Sequence, residues 1–216
     1  MILDACIFDL NGTVLDDEGV YAESFRAVLK KLGVEVKDKY PHVLGIGVKE
    51  NWPRLKSKYN FKTKKTFEEL ARETQNEYLK RLHEVTTTDG FEKFVSDIRS
   101  TDIPTALATS NDWWMCEEVL EKFNLEEYFD VVTTGEEVGH KKPNPDLFLT
   151  TADKLGVSRS GCLVFEDAEA GVTAALRAGM KVVGVVTDPD KEKMLEDASF
   201  IIGDFTKITP GLIKTI

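Results

Sequence analysis

Ala5-Cys6-Ile7-Phe8-Asp9-Leu10-Asn11-Gly12-Thr13 sets a four-residue apolar run directly before an acid, an amide and a glycine. A continuous apolar run of this length reads as a parallel strand covered on both faces, and Gly12 lets the backbone turn tightly where the run ends. Similar runs recur at residues 104–109, 130–133, 162–165, 182–186 and 199–202. Between them lie helical patterns. Met115, Val119, Leu120 and Phe123 recur at helical spacing, as do Leu147, Phe148, Ala152 and Leu155, and residues 171–178 are closed by Gly179 at a C′ position. Strand alternating with helix predicts a doubly wound α/β parallel sheet.

Of the 216 residues, 42% are apolar, enough to bury a core and too many for a disordered chain. Lys and Arg number 28 and Asp and Glu 38, so the net charge is 28 − 38 = −10. A chain this acidic repels a phosphate backbone, which argues against a nucleic-acid partner. A small phosphorylated substrate is compatible, because a local site can oppose the global charge. No apolar run approaches the roughly 18 residues of a membrane helix. The first residues, with Asp4 and no basic segment, do not read as a signal peptide. Cys6, Cys116 and Cys162 are scattered without CxxC spacing and read as buried thiols of a reducing compartment. The expectation is a cytoplasmic protein with no membrane partner, monomeric or weakly homodimeric.

Residues 16–85 break the alternation. They show helical pattern only, with Phe25, Val28, Leu29 and Leu32 on one face and Phe67, Leu70, Ala71, Thr74, Tyr78 and Leu82 on another. This predicts a core of residues 1–15 and 86–216 with a helical cap of residues 16–85 inserted after the first strand. The two adjacent linkers would form a hinge.

Ligands of open α/β sheets bind beyond the carboxyl ends of the strands. Asp9-Leu10-Asn11-Gly12-Thr13 follows the first strand, Thr109-Ser110-Asn111-Asp112 the second, and Glu166-Asp167 the fourth, with Lys142-Pro143-Asn144-Pro145-Asp146 before it. Carboxylates gathered at one edge repel each other unless a cation lies between them. Asp9 and Asp167 with other oxygen donors suit Mg²⁺. Lys142, Thr109 and the Ser110-Asn111 turn would cradle a phosphate. An Asp beside a metal and a phosphate cradle can serve as a covalent nucleophile through an aspartyl-phosphate.

Phe8-Asp9-Leu10-Asn11-Gly12-Thr13 resembles the DxDG[TV] motif of the haloacid dehalogenase (HAD) superfamily. Thr109 matches its second motif, Lys142 its third and Glu166-Asp167 its fourth, so the resemblance runs along essentially the whole chain. Lys-Pro-x-Pro-Asp with Glu-Asp-x-x-x-Gly is similar to the β-phosphoglucomutase-like branch of sugar-phosphate phosphatases. The resemblance implies a Rossmann-like core with a first-type cap and Mg²⁺-dependent hydrolysis of a small phosphorylated metabolite. It makes Asp9 the nucleophile and a metal ligand. Asp167 is then the other side-chain ligand, Glu166 belongs to the metal site or stands directly behind it, the backbone carbonyl of Asn11 completes the ligands, and Thr109 and Lys142 hold the transferring phosphoryl group.

Asn11 departs from the pattern. Phosphatases of the family carry there a second Asp that protonates the leaving group and deprotonates the attacking water, and an amide does neither. Three readings stay open: an engineered inactivation, a natural weak enzyme or phosphate-binding protein, or a branch without that Asp, such as dehalogenases or phosphonoacetaldehyde hydrolases. Glu166-Asp167 argues for a retained metal. Ser24 stands where a β-phosphoglucomutase of this branch carries a cap His, and Lys49, where a phosphonatase lysine would lie, reads as a surface residue. His42 lies in a loop whose counterpart in this branch faces the substrate, and reads as solvated or as a substrate contact; His83 and His140 read as surface residues, and the cluster from Lys62 to Lys65 as a solvated face. Trp113-Trp114 reads equally as helix-start packing or as a wall of the substrate entrance, with Asp112 an N-cap candidate.

Overall fold

The computed structural model describes residues 3–216. Met1 and Ile2, the start of the stretch read as lacking a signal peptide, lie outside the described residues. In chain order the elements are β1 (Ala5–Phe8), β2 (Leu15–Asp16), α1 (Glu18–Lys31), α2 (Val48–Tyr59), α3 (Phe67–Lys80) and β3 (Thr86–Thr87). There follow α4 (Phe91–Arg99), β4 (Thr105–Ala108), α5 (Trp113–Phe123), β5 (Val131–Thr133), α6 (Asp146–Leu155), β6 (Cys162–Glu166), α7 (Glu169–Arg177), β7 (Lys181–Val185), β8 (Phe200–Ile202) and α8 (Pro210–Ile213).

Six strands form one sheet in the order β5-β4-β1-β6-β7-β8, every neighbouring pair parallel. The apolar runs become these strands because helices cover both faces. On one face Phe8 and Phe165 stack at 4.6 Å and meet Phe91, Phe94 and Phe205 edge-on or tilted. On the other, Ile7, Ala106 and Val164 pack with Leu147, Phe148 and Val172 of α6 and α7. Cys6, Cys116 and Cys162 are all buried free thiols.

The chain leaves this sheet through β2 and returns through β3, and the two pair antiparallel, Leu15 opposite Thr87 and Asp16 opposite Thr86. Strands of two residues carry no periodicity, so the sequence shows only linkers there. Between them α1, α2 and α3 pack on one another around Phe25, Trp52, Leu55, Leu70 and Tyr78. Thr66 caps α3 reciprocally: its Oγ1 accepts the Glu69 N–H at 3.2 Å and Glu69 Oε2 accepts the Thr66 N–H at 2.6 Å. Among the described residues no helix is long and apolar enough to cross a membrane.

Candidate active site

β4, β1 and β6 lie side by side, so their carboxyl ends deliver Asp9, Thr109, Ser110, Asn111, Glu166 and Asp167 to one edge. Lys142 reaches the same point from the loop before α6. Its ammonium, wholly buried, donates to Asp9 Oδ1 and, at 2.5 Å, to Glu166 Oε1. Burial works against that charge, yet Asp9 and Glu166 together hold the ammonium above its ordinary value. Burial in turn raises the Asp9 carboxyl well above the usual carboxylate range, opposed by Lys142 and reinforced by Glu166 and Asp167. Glu166 Oε2 accepts the Ala168 N–H at 2.9 Å. Both Glu166 oxygens are therefore engaged, and this residue, expected in the metal site or directly behind it, anchors Lys142. Gly12 makes the approach of Asp167 possible: its φ is +80°, and a Cβ there would lie 2.1 Å from Asp167 Oδ2.

Asn11 belongs to a buried polar chain that sequence reasoning missed. Its Nδ2 donates to Asp17 Oδ2 at 2.6 Å, and its Oδ1 accepts from Asn111 Nδ2 at 2.8 Å. Tyr21 donates to Asn111 Oδ1 at 3.3 Å, Tyr78 to Asp17 Oδ2 at 2.5 Å, and the Gly12 N–H to Asp17 Oδ1 at 3.0 Å. Burial and the neighbouring Glu18 push the Asp17 carboxyl up to about 8, against the donors from Tyr78, Asn11 and Gly12. The only trace of this chain in the sequence is the acidic run Asp16-Asp17-Glu18 at the end of the first linker.

The helices of residues 16–85 roof the sheet edge. Ser110 donates to the Gly45 carbonyl at 3.2 Å, and Tyr40 to Asp188 Oδ2 at 2.8 Å. Arg72 stacks on the Trp114 ring at 3.5 Å. A small cavity of about 40 Å³ lies between Asp9, Asn11, Ser110 and Asn111 below and Glu18, Tyr21, Phe25 and His42 with the 43–48 loop above. Beside it a cleft of about 590 Å³ runs past Lys49, Arg72, Asp112, Trp114 and Lys141. Trp114 thus walls this cleft, while Trp113 is exposed. Thr109 sits behind the cavity, its Oγ1 accepting the Asn111 N–H at 3.1 Å.

His42 has its side chain buried at the cavity, against the solvated reading of this loop. Its side chain is 5% exposed, its Nε2 lies 3.2 Å from Glu18 Oε2, and its ring stacks on Phe25 at 4.6 Å. His83 and His140 are exposed as expected, as is Lys49, which pairs with Glu68 at 2.5 Å. Asp112 occupies the N-cap of α5, but Glu136 rather than Asp112 accepts the Trp113 N–H, at 2.7 Å.

The model of haloacid dehalogenase-like hydrolases matches residues 6–185. A phosphorylated carbohydrates phosphatase of Thermotoga maritima is 31% identical over 206 residues, 92% of this chain and 93% of that protein. Fructose-1-phosphate phosphatase YqaB of Escherichia coli is 30% identical over 183 residues, 83% and 94% of the two chains. The β-phosphoglucomutase of Clostridium difficile superposes with a TM-score of 0.88 at 25% identity, covering 99% of this chain and 96% of that one. The parallel sheet, the inserted helices and the residues at the strand ends thus have one source, and the chain belongs to the haloacid dehalogenase-like hydrolases.

Proposed function

We propose that this chain hydrolyses phosphomonoesters of small phosphorylated carbohydrates through a phosphorylated Asp9. The observation that carries this reading is the contact of the buried Lys142 with Asp9, which lines a cavity beneath the helical roof. A buried ammonium beside the nucleophile stabilises charge as it gathers on the transferring phosphoryl group. The Asp9 oxygen attacks phosphorus in line, the ester P–O bond breaks, and the leaving oxygen departs on the side opposite Asp9. Water then cleaves the acyl phosphate and restores Asp9. The roof excludes bulk water from both steps. The relatives named for phosphorylated carbohydrates and fructose 1-phosphate support the substrate class.

The residues fit Mg²⁺. Asp9 and Glu166 share the Lys142 ammonium, the buried Asp167 lies near enough to Asp9 to raise its carboxyl, and the Gly12 backbone leaves room for Asp167. Among the described residues no three acidic, His or Cys side chains form a metal cage. Mg²⁺ needs none, since it keeps several waters and takes one or two carboxylates. Asp9, Asp167 and the Asn11 carbonyl would hold it, and it would neutralise phosphate oxygens there.

A reading as a phosphate-binding protein without turnover rests on Asn11, whose amide transfers no proton. Phosphate release from a panel of sugar phosphates, with acid quench and intact mass to detect phosphorylated Asp9, separates the two. The proposal expects turnover that Asp9→Asn abolishes. Phosphate binding with neither release nor phosphoenzyme would establish the binding protein.

A further inference from the structure

We propose that Glu18 and His42, paired in the roof of the cavity, supply and take back the proton that side chain 11 does not handle. This inference rests on the phosphatase reading above. Among the described residues the ionisable side chains lining the cavity are Asp9, Glu18, Tyr21 and His42. Asp9 is the nucleophile. Tyr21 donates to Asn111, and burial with Asp17 and Glu18 nearby raises its phenol well above the ordinary value, which makes it a poor acid. Asp17 is close to Asn11, but it does not line the cavity, and its oxygens receive Asn11, Gly12 and Tyr78. Glu18 and His42 remain.

Their arrangement suits the task. Glu18 opens α1 and His42 lies in the loop between α1 and α2, so two segments of the chain converge to place Nε2 3.2 Å from Oε2. Phe25 stacks on the imidazole with 21° between the ring planes and fixes its orientation. A carboxylate on one ring nitrogen sets the tautomer and stabilises the imidazolium, the arrangement that makes histidine an effective general acid and base.

Direction is the second argument. In-line displacement puts the leaving oxygen on the side of phosphorus away from Asp9, and the attacking water later arrives along the same line. Asp9 is on the floor of the cavity and the pair is in its roof. Both proton transfers therefore occur on the side where Glu18 and His42 stand. As the Asp9 oxygen bonds to phosphorus and the P–O(alkyl) bond breaks, the alkoxide oxygen takes one proton from the pair. As water oxygen then bonds to phosphorus and the P–O(Asp9) bond breaks, water returns one proton to the pair. Phosphate leaves, Asp9 is again a carboxylate, and nothing is oxidised or reduced.

The test compares two substrates in His42→Asn and Glu18→Gln, alone and with Asn11→Asp. Hexose phosphates have a leaving group that needs a proton, and nitrophenyl phosphate does not. The proposal expects each single substitution to lower hexose-phosphate turnover by about 10²–10³ and to change the first-turnover release of nitrophenolate by less than about threefold. Nitrophenyl phosphate should then leave phosphorylated Asp9 accumulated, visible by intact mass after acid quench. With Asn11→Asp present, the same substitutions should cost less than about tenfold, because a carboxyl at 11 supplies a second route. Equal slowing of both substrates, or unchanged hexose-phosphate turnover, would overturn the assignment and leave the phosphatase reading standing. A wild-type chain that neither releases phosphate nor forms phosphoenzyme would overturn both. Should His42→Asn fail to fold by circular dichroism, Glu18→Gln, which keeps the size of the side chain, carries the same comparison.

Discussion

Asn11→Asp brings two carboxyls into contact. The amide nitrogen it replaces lies 2.6 Å from Asp17 Oδ2. Two ionised carboxylates at that distance repel by 332/(20 × 2.6), about 6 kcal/mol at an effective dielectric constant near 20. The folded variant therefore keeps one proton between the new carboxyl and Asp17 well into the alkaline range, as carboxylate pairs do. In the wild type Asp17 is pushed up to about 8 and releases its proton above that pH. A raised carboxyl stabilises the fold at low pH and loses that contribution as pH rises, because the folded state holds a proton the unfolded state has given up. For the wild type this loss ends near pH 8, whereas for the variant it continues at about 1.4 kcal/mol per pH unit. At pH 9.5 the variant should be about 2 kcal/mol less stable relative to wild type than at pH 8, a further fall in Tm of about 4–8 °C for a chain of this size. Thermal unfolding of both proteins in chelator at pH 6, 8 and 9.5 measures it. A constant offset between the two curves from pH 8 to pH 9.5 would refute the shared proton and with it the contact between positions 11 and 17.

Gly12→Ala puts a Cβ 2.1 Å from Asp167 Oδ2 at a φ of +80°, so the carboxyl must retreat by 3.4 − 2.1 = 1.3 Å. The expected result is a stability loss of about 2 kcal/mol and weaker Mg²⁺ binding by calorimetry, and wild-type Mg²⁺ affinity would contradict the placement of Asp167. Asp167→Ala should likewise depress Mg²⁺ affinity, while an unchanged isotherm removes Asp167 from the site. Glu77 on α3 ties Lys31, Lys80 and Arg81 together at 2.8–3.1 Å, and these partners lower its carboxyl to about 2. That stabilisation is present above pH 4.5 and is lost as pH falls toward 2. Glu77→Gln should therefore cost about 1–2 kcal/mol at pH 7, after allowance for solvent screening, with the deficit shrinking below pH 4 in chemical denaturation curves.

The core strands are legible because strands covered on both faces are written as unbroken apolar runs, and the residues of the candidate site because they follow those runs directly. What the sequence withholds is direction. Nothing in Glu166-Asp167 says that Glu166 turns back to Lys142 and Ala168 while Asp167 lies against Gly12. His42 reads as a solvated loop residue because its partners, Glu18 and Phe25, lie about 20 residues away on a helix whose angle the local pattern does not encode. α2 escapes notice because Pro53 interrupts it, although Val48, Trp52 and Leu55 bury at helical spacing around the proline. Asp17 hides for a different reason. A carboxylate in an acidic run reads as solvated, and only the convergence of Asn11, Gly12 and Tyr78 shows that it is buried.

The central place of β1 in the sheet also governs the order in which the molecule can be assembled. Cys6 pairs with Thr105 on one side and Leu163 on the other, separations of 105 − 6 = 99 and 163 − 6 = 157 residues. Synthesis proceeds from the N-terminus, and contacts so distant in sequence form late. The helices α1 to α3, whose contacts are local, are complete on the ribosome before either neighbour of β1 has been made. We therefore expect nascent chains ending before residue 105 to hold these helices protease-resistant and the first strand exposed. Limited proteolysis of stalled chains reports this directly, and early protection of β1 would count against it. Asp9, directly after the first strand synthesised, is among the last residues to reach its place beside Lys142 and Glu166.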